Sequence, residues 1–294
     1  MDADLSRWLG ALTAEVGASA HTIRAYEGDL GRLSEWLDER GSGLAQARLI
    51  DLRGWLASTL ATDHKTAPAT TARRVAALRS FYRWMLRTGA IEASPAERLR
   101  SPRVPRAVPH FLEVDEAAQI IENPTGQDVA LPRNRALLEL IYGAGLRVSE
   151  AVGADVGDVD LGSGLVRVRG KGNKERIVPF GPPAAEALAL LMAGQGRATP
   201  VFRNRDGGRL STRSAWQIVR DSGASNGQPG VYPHLLRHSC ATHMLTGGAD
   251  LRGIQEQLGH ASLATTQRYT HADAAHLLRV YRGAHPRAGR RDRD

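Results

Sequence analysis

Across 294 residues there is one cysteine, Cys240, which excludes an intramolecular disulfide framework and any cysteine-based zinc cluster. Nothing in the chain calls for an oxidising compartment. No apolar run approaches the roughly 18 residues that a membrane span needs. The opening MDADLSRWLG is acidic and lacks the apolar core of a secretory signal. Nucleotide-binding glycine motifs are also missing. There is no G-x-x-x-x-G-K-[ST], and Gly143 and Gly145 lie outside any strand–turn–helix unit. His234 and His238 stand four apart, as metal ligands on a helix do, but the glutamate of H-E-x-x-H is absent, so neither metal nor cofactor is expected. Together these absences describe a soluble cytoplasmic protein with no membrane partner.

Lysine is scarce: Lys65, Lys171 and Lys174 are the only three among 39 basic residues, the other 36 being arginine. The net charge of +8 favours phosphate partners through long-range steering. Abundant arginine, alanine and glycine also follow from a nucleotide-composition bias, so charge alone is weak support. It is evenly spread, with 16 basic and 12 acidic residues up to Arg106 and 23 and 19 after it, +4 in each part. A hydrophobic fraction of 42% suffices for packed cores, and the length suits two domains.

Residues 1–99 read as a helical bundle. Leu5, Trp8, Leu9 and Leu12 recur at helical spacing. Ser19 reads as the N-cap of a second helix with Ile23, Tyr26, Leu30, Leu33 and Leu37 on one stripe, stopped at Gly41. A third helix is predicted over 49–60 and a fourth over 70–88, ended by Gly89. The fourth buries Val75, Leu78, Phe81, Tyr82 and Met85, and its other face carries Arg73, Arg74, Arg79, Arg83 and Arg87. That face reads either as solvated or as turned toward phosphates. Residues 100–110, RSPRVPRAVPH, form a stiff basic linker, because three prolines disfavour helix.

Residues 111–284 read as a mixed α+β domain, so the chain is mainly α with a small β-sheet. Helices are expected over 113–121, 132–142, 183–192 and 212–220, and for most of the stretch from Pro233 to Tyr281. Val166 and Val168 alternate with Arg167 and Arg169, then Gly170-Lys171-Gly172-Asn173 turns the chain back to Ile177 and Val178. This is a β-hairpin with a lysine at its tip. A short strand is expected at 201–202, and residues 285–294 read as a flexible charged tail.

Several polar residues sit at exposed ends of these elements. Arg147 follows a Gly-Ala-Gly-Leu turn and precedes Glu150, His234 and Arg237 share a helix face, His260 follows a helix end, and Tyr269 lies in TTQRYTH. Singly, each has an ordinary reading: an ion pair with Glu150, an exposed turn lysine at 171, a helix cap, a core tyrosine. Together they match what phosphoryl transfer demands: cations on the equatorial oxygens, a nucleophile and a proton donor for the leaving oxygen. Tyrosine serves as nucleophile once a base takes its proton.

In order, Arg147, Lys171, His234-x-x-Arg237, His260 and Tyr269 resemble the pattern of the tyrosine site-specific recombinases. The words YGAGLRVSE, RGKGNKERIVPFG, HLLRHSCATHML and LGHASLATTQRYTH carry the likeness, which spans nearly the whole chain. The closest subgroup is Xer, and the ending VYRGAHPRA is nearer the XerC type than the XerD type. The resemblance implies a clamp of two domains on duplex DNA. Tyr269 would form a 3′-phosphotyrosyl link, with Arg147 and Arg237 on the scissile phosphate and His260 donating to it. Lys171 would protonate the 5′-oxygen, and His234 would be the base or orienter for Tyr269. Glu150 would support the first arginine. It further implies a dif-like chromosomal site, an XerD-like partner in a heterotetramer, a DNA-translocating division ATPase, and a nucleoid location. Candidate DNA contacts are Arg73, Arg74, Arg79 and Lys174. Cys240 departs from the pattern, since relatives often carry phenylalanine there; it reads as a small inward-facing residue. A phage or transposon integrase, a type IB topoisomerase and a non-catalytic DNA-binding protein are the competing readings.

Overall fold

A computed structural model of the chain describes residues 2–14, 18, 20–62, 67–103, 110–127, 130–170, 175–259 and 271–289. The chain divides into two compact units, Met1–Val108 and Pro109–Asp294.

The first unit is built from α1 (Ala3–Ala14), α2 (Ala20–Asp38), α3 (Leu49–Thr62) and α4 (Pro68–Arg87). Their apolar stripes meet in one core in which Trp8, Leu33, Trp55, Phe81 and Tyr82 are fully buried. Trp8 stacks on Tyr26 and meets the edge of Phe81, with centroids 5.8 and 5.4 Å apart. Tyr82 donates its hydroxyl to the Leu44 carbonyl at 3.0 Å, so this buried polar tip is satisfied. Gly41 and Gly89, at φ +68° and +74°, end α2 and α4 in the left-handed region. Ser19, expected to cap α2, lies outside the described residues.

The arginine face of α4 departs from a solvated stripe. Arg74 is buried, 3.7 Å from the fully buried carboxylate of Asp29 and over the Trp55 ring. Arg73 pairs with Asp29 and donates to the Ala25 carbonyl at 3.2 Å, while Arg79 donates to the Leu99 carbonyl. These side chains staple the bundle internally, because a buried carboxylate on α2 demands cationic partners.

The second unit contains α5 (Val114–Glu122), α6 (Leu131–Leu138), a π-helical turn (Glu139–Gly143), α7 (Val148–Gly153) and a 3-10 turn (Val156–Asp158). An antiparallel sheet follows, with β1 (Val159–Asp160), β2 (Leu165–Arg169) and β3 (Glu175–Pro179) in the order β1-β2-β3. The chain continues through α8 (Pro182–Met192), α9 (Thr212–Ser225), α10 (Pro233–Thr246), α11 (Leu251–Leu258) and α12 (His271–Ala284). Arg169 pairs with Glu175 across the hairpin, as the alternation predicts; residues 171–174 of its turn lie outside the described residues.

Three expectations change here. The helix predicted over 132–142 widens to a π turn at Glu139, which turns Leu140, Ile141, Tyr142 and Gly143 all into the core. The strand expected at 201–202 is instead a pair of isolated bridges, Asp155 with Pro200 and Arg203 with Arg209. The predicted flexible tail is docked for its first part. His285 and Arg287 are 5% exposed, and Arg287 pairs with the buried Glu139 and, at 2.7 Å, with Glu122. Charge suggested solvent there, but the carboxylate of Glu139, buried inside the unit, draws the arginine in.

Candidate active site

Glu150 is the hub. It lies in the first turn of α7, and its carboxylate accepts from the Arg147 backbone amide and from Arg147 Nη1, both at 2.8 Å. The sequence order Arg-x-x-Glu makes this local, since Glu at the third helical position reaches back to the unsatisfied amide at the cap. From β3, Arg176 adds a two-point pair, Nη1 to Oε1 at 2.6 Å and Nη2 to Oε2 at 2.9 Å. From α10, Arg237 Nη1 approaches Oε2 at 3.7 Å. Burial opposes the charge of Glu150, yet hydrogen bonds and charge from Arg176, with Arg147, outweigh it and hold the carboxyl below its ordinary value.

The arginines are also tied to chain ends. Arg237 donates to the carbonyls of Gly145 and Leu258. Arg147 Nη2 lies 3.4 Å from the Gly259 carbonyl. Gly259 ends α11 at φ +64°, a conformation glycine adopts without strain. Gly145, also at φ +64°, is the close approach on the other side: a Cβ there would meet Leu258 at 2.9 Å and Cys240 Sγ at 3.2 Å. Cys240 is fully buried, and burial pushes its thiol up to about 12, so it is a small packing residue, as expected, and not a thiolate.

Arg237 is 7% exposed at its side chain and Arg147 37%. Burial and then the charge of Arg147 lower Arg237 to about 10, which leaves it cationic at neutral pH. His234 is exposed in the first turn of α10. Partial desolvation, then the charges of Arg237 and Arg147, push it below its ordinary value and keep the imidazole neutral near pH 7. A guanidinium pair, a neutral imidazole and a buried carboxylate form a place for an anion with a proton acceptor beside it.

The structure thus brings Arg147, Glu150, His234 and Arg237 together. Lys171, Lys174, His260 and Tyr269 lie outside the described residues. Lys171 and Lys174 belong to the turn joining β2 and β3, His260 directly follows Gly259, and Tyr269 stands two positions before the first residue of α12. Arg73, Arg74 and Arg79 belong to the first unit. Arg176 escaped the sequence reading, although strand alternation signals it: it shares the core side of β3 with Val178. No group of three or more metal-binding side chains occurs among the described residues, and no described helix is long and apolar enough to cross a membrane.

Comparison with known proteins places this geometry. Residues 110–276 match the phage integrase family, and residues 5–89 match its N-terminal SAM-like domain. Tyrosine recombinase XerC of Mycobacterium tuberculosis is 45% identical over 303 residues, covering 98% of this chain and 100% of that protein. The XerC of Xanthomonas campestris pv. campestris is 44% identical over 299 residues, covering 99% and 91%. Among solved structures, XerH recombinase bound to a palindromic difH substrate superposes with a TM-score of 0.65 at 22% identity, covering 95% of this chain and 84% of that one. A lambda integrase dimer on a COC′ core site gives 0.66 at 18% identity, covering 91% and 97%. These two share the fold. The chain therefore belongs to the phage integrase family and is a tyrosine recombinase, an enzyme that breaks and rejoins DNA strands in site-specific recombination.

Proposed function

We propose that the chain resolves chromosome dimers at a dif-like site during segregation and division, cutting each strand through a 3′-phosphotyrosyl intermediate without metal or ATP. One observation supports the chemistry of this reading: Glu150 draws Arg147 and Arg237 together beside Gly259, the residue before His260. In the proposed reaction the Tyr269 oxygen attacks the scissile phosphorus and the bond to the 5′-oxygen breaks. His234 takes the tyrosine proton, and Lys171 gives one to the departing 5′-oxygen. Arg147, Arg237 and His260 hold the non-bridging oxygens as charge builds. Attack by a second strand's 5′-hydroxyl reverses these steps, so the phosphotyrosyl bond keeps the energy for rejoining.

The biological assignment rests on the extent of identity to XerC proteins, and the XerH relative was solved on its difH substrate. The proposal extends to a nucleoid location in the cytoplasm and an XerD-like partner in a heterotetramer. Each of the two units would contact duplex DNA, with Lys174 and exposed arginines of the first unit on the backbone. The test is a labelled, nicked duplex carrying a candidate dimer-resolution site, with and without the XerD-like protein and with excess EDTA. Wild type should form a covalent adduct in EDTA, and Tyr269→Phe should bind and form none. An adduct in Tyr269→Phe would name another nucleophile, and metal-dependent cleavage would overturn the chemistry.

A further inference from the structure

Arg176 occupies a position where an arginine is costly. It sits on β3 opposite Val168, on the side that packs into the unit, and is 6% exposed. A guanidinium there is tolerated only when paired and hydrogen-bonded. All three of its nitrogens are engaged: Nη1 and Nη2 with the two oxygens of Glu150, and Nε with the Gln257 carbonyl at 3.2 Å. Each nitrogen already has a protein partner on the buried side of β3, so its effect on the reaction is read as passing through those partners.

Those neighbours are the ones that matter. The same two Glu150 oxygens receive the Arg147 side chain and amide. The fork-to-fork pair from Arg176 adds two more bonds to those oxygens and fixes the plane of the carboxylate from its far side. Arg176 also lies under the end of α11. A Cβ on Gly259 would stand 2.9 to 3.1 Å from its Nε, Cδ and Cζ, so the chain leaves α11 pressed against this guanidinium on its way to His260. One side chain, rooted at the base of the hairpin that carries Lys171, thereby braces both Glu150 and the Gly259 exit.

We propose that Arg176 is a positioning residue for DNA cleavage, holding Glu150 so that Arg147 faces the scissile phosphate and fixing the exit toward His260. The proposal rests on the reading of Arg147 as a phosphate-holding arginine. Misplacement of a reacting group by about 1 Å costs on the order of 10²-fold in rate. On the nicked duplex that wild type converts to adduct, Arg176→Met should therefore bind within about threefold of wild type. Its single-turnover adduct formation at saturating DNA should fall by about 10²-fold. Arg176→Lys keeps the charge but not the two-point grip, so it should recover part of that rate. In a Glu150→Gln background, Arg176→Met should cost clearly less than it does alone, because only its hold on the Gly259 exit remains to be lost.

Thermal melts establish which variants are folded at the assay temperature. Should Arg176→Met not be folded there, Arg176→Lys alone and combined with Glu150→Gln carries the same comparison. A wild-type rate in the folded Arg176 variant, or losses that multiply fully with Glu150→Gln, would overturn the inference. Arg147→Ala separates the two readings. If it cleaves normally, the assignment of Arg147 fails; if it is slow while Arg176→Met is not, only the inference about Arg176 fails.

Discussion

Asp29 in the first unit and Glu150 in the second are both buried carboxylates that gather three arginines. Asp29 takes Arg32 at 2.7 Å from its own helix and Arg73 and Arg74 from α4. Glu150 takes Arg147, Arg176 and Arg237. Charge count does not distinguish them. Geometry does: around Asp29 every partner projects from the flank of α2 or α4, so the cluster staples two helices. Around Glu150 the partners come from the start of α7, from a strand and from α10. Their remaining N–H groups hold the carbonyls of Gly145, Gln257, Leu258 and Gly259, where turns and helix ends converge. Gly259 directly precedes His260 in the chain, and β3, which carries Arg176, directly follows the turn that holds Lys171.

The sharpest way to break the comparison is through that hairpin turn. Lys171→Ala should slow cleavage of ordinary DNA by about 10²–10⁴-fold, the range of a lost general acid. A substrate with a 5′-bridging sulfur has a leaving group that needs no proton, and should recover most of the rate. Lys174→Ala should show a smaller defect without selective sulfur rescue; the reverse pattern would swap the two lysines.

Next in size is the arginine pair itself. Arg237→Ala should lower single-turnover cleavage by about 10²–10³-fold, as for one lost donor to a developing charge. At the other carboxylate, Asp29→Asn should leave cleavage at saturating DNA near the wild-type rate below its melting point. It should instead destabilise the first unit by about 3 kcal/mol, because Arg74 loses its charge partner inside the fold. Denaturant melts and adduct assays on the same preparations check both. Catalytic loss without destabilisation at Asp29 would erase the distinction.

The most gradual effect, spread over several units, concerns pH. Burial holds His285 down to about 3, against an ordinary value of 6.5. The unfolded chain therefore takes up this proton first. The stabilisation is whole above about pH 6.5 and is lost as pH falls toward 3, by at most about 1.4 kcal/mol per pH unit. His243, also lowered by burial, adds in the same direction. Melts from pH 7.5 to 4 should show this slope in the wild type and a shallower one in His285→Phe. An unchanged slope would mean that the docked end opens before it titrates.

Much of this was legible beforehand because it is local. The α4 stripe of Val75, Leu78, Phe81 and Tyr82 follows from helical period, and Glu150 reaching Arg147 follows from a three-residue spacing at a helix start. Arg74 and Arg287 were misjudged for one shared reason. Arginine on a helix face or in a terminal segment signals solvent, unless a carboxylate elsewhere in the fold is buried, and neither Asp29 nor Glu139 announces that by its neighbours. Arg176 sat in plain view in the strand alternation, but its partner lay on α7.

The sequence by itself determined the helices, the hairpin, the two-part organisation and the order of the polar residues, since these depend on period, turn chemistry and short spacing. Only the tertiary structure decided which arginines are staples and which are presented. That choice depends on which carboxylates lose their water, and desolvation belongs to the packed chain rather than to any stretch of it.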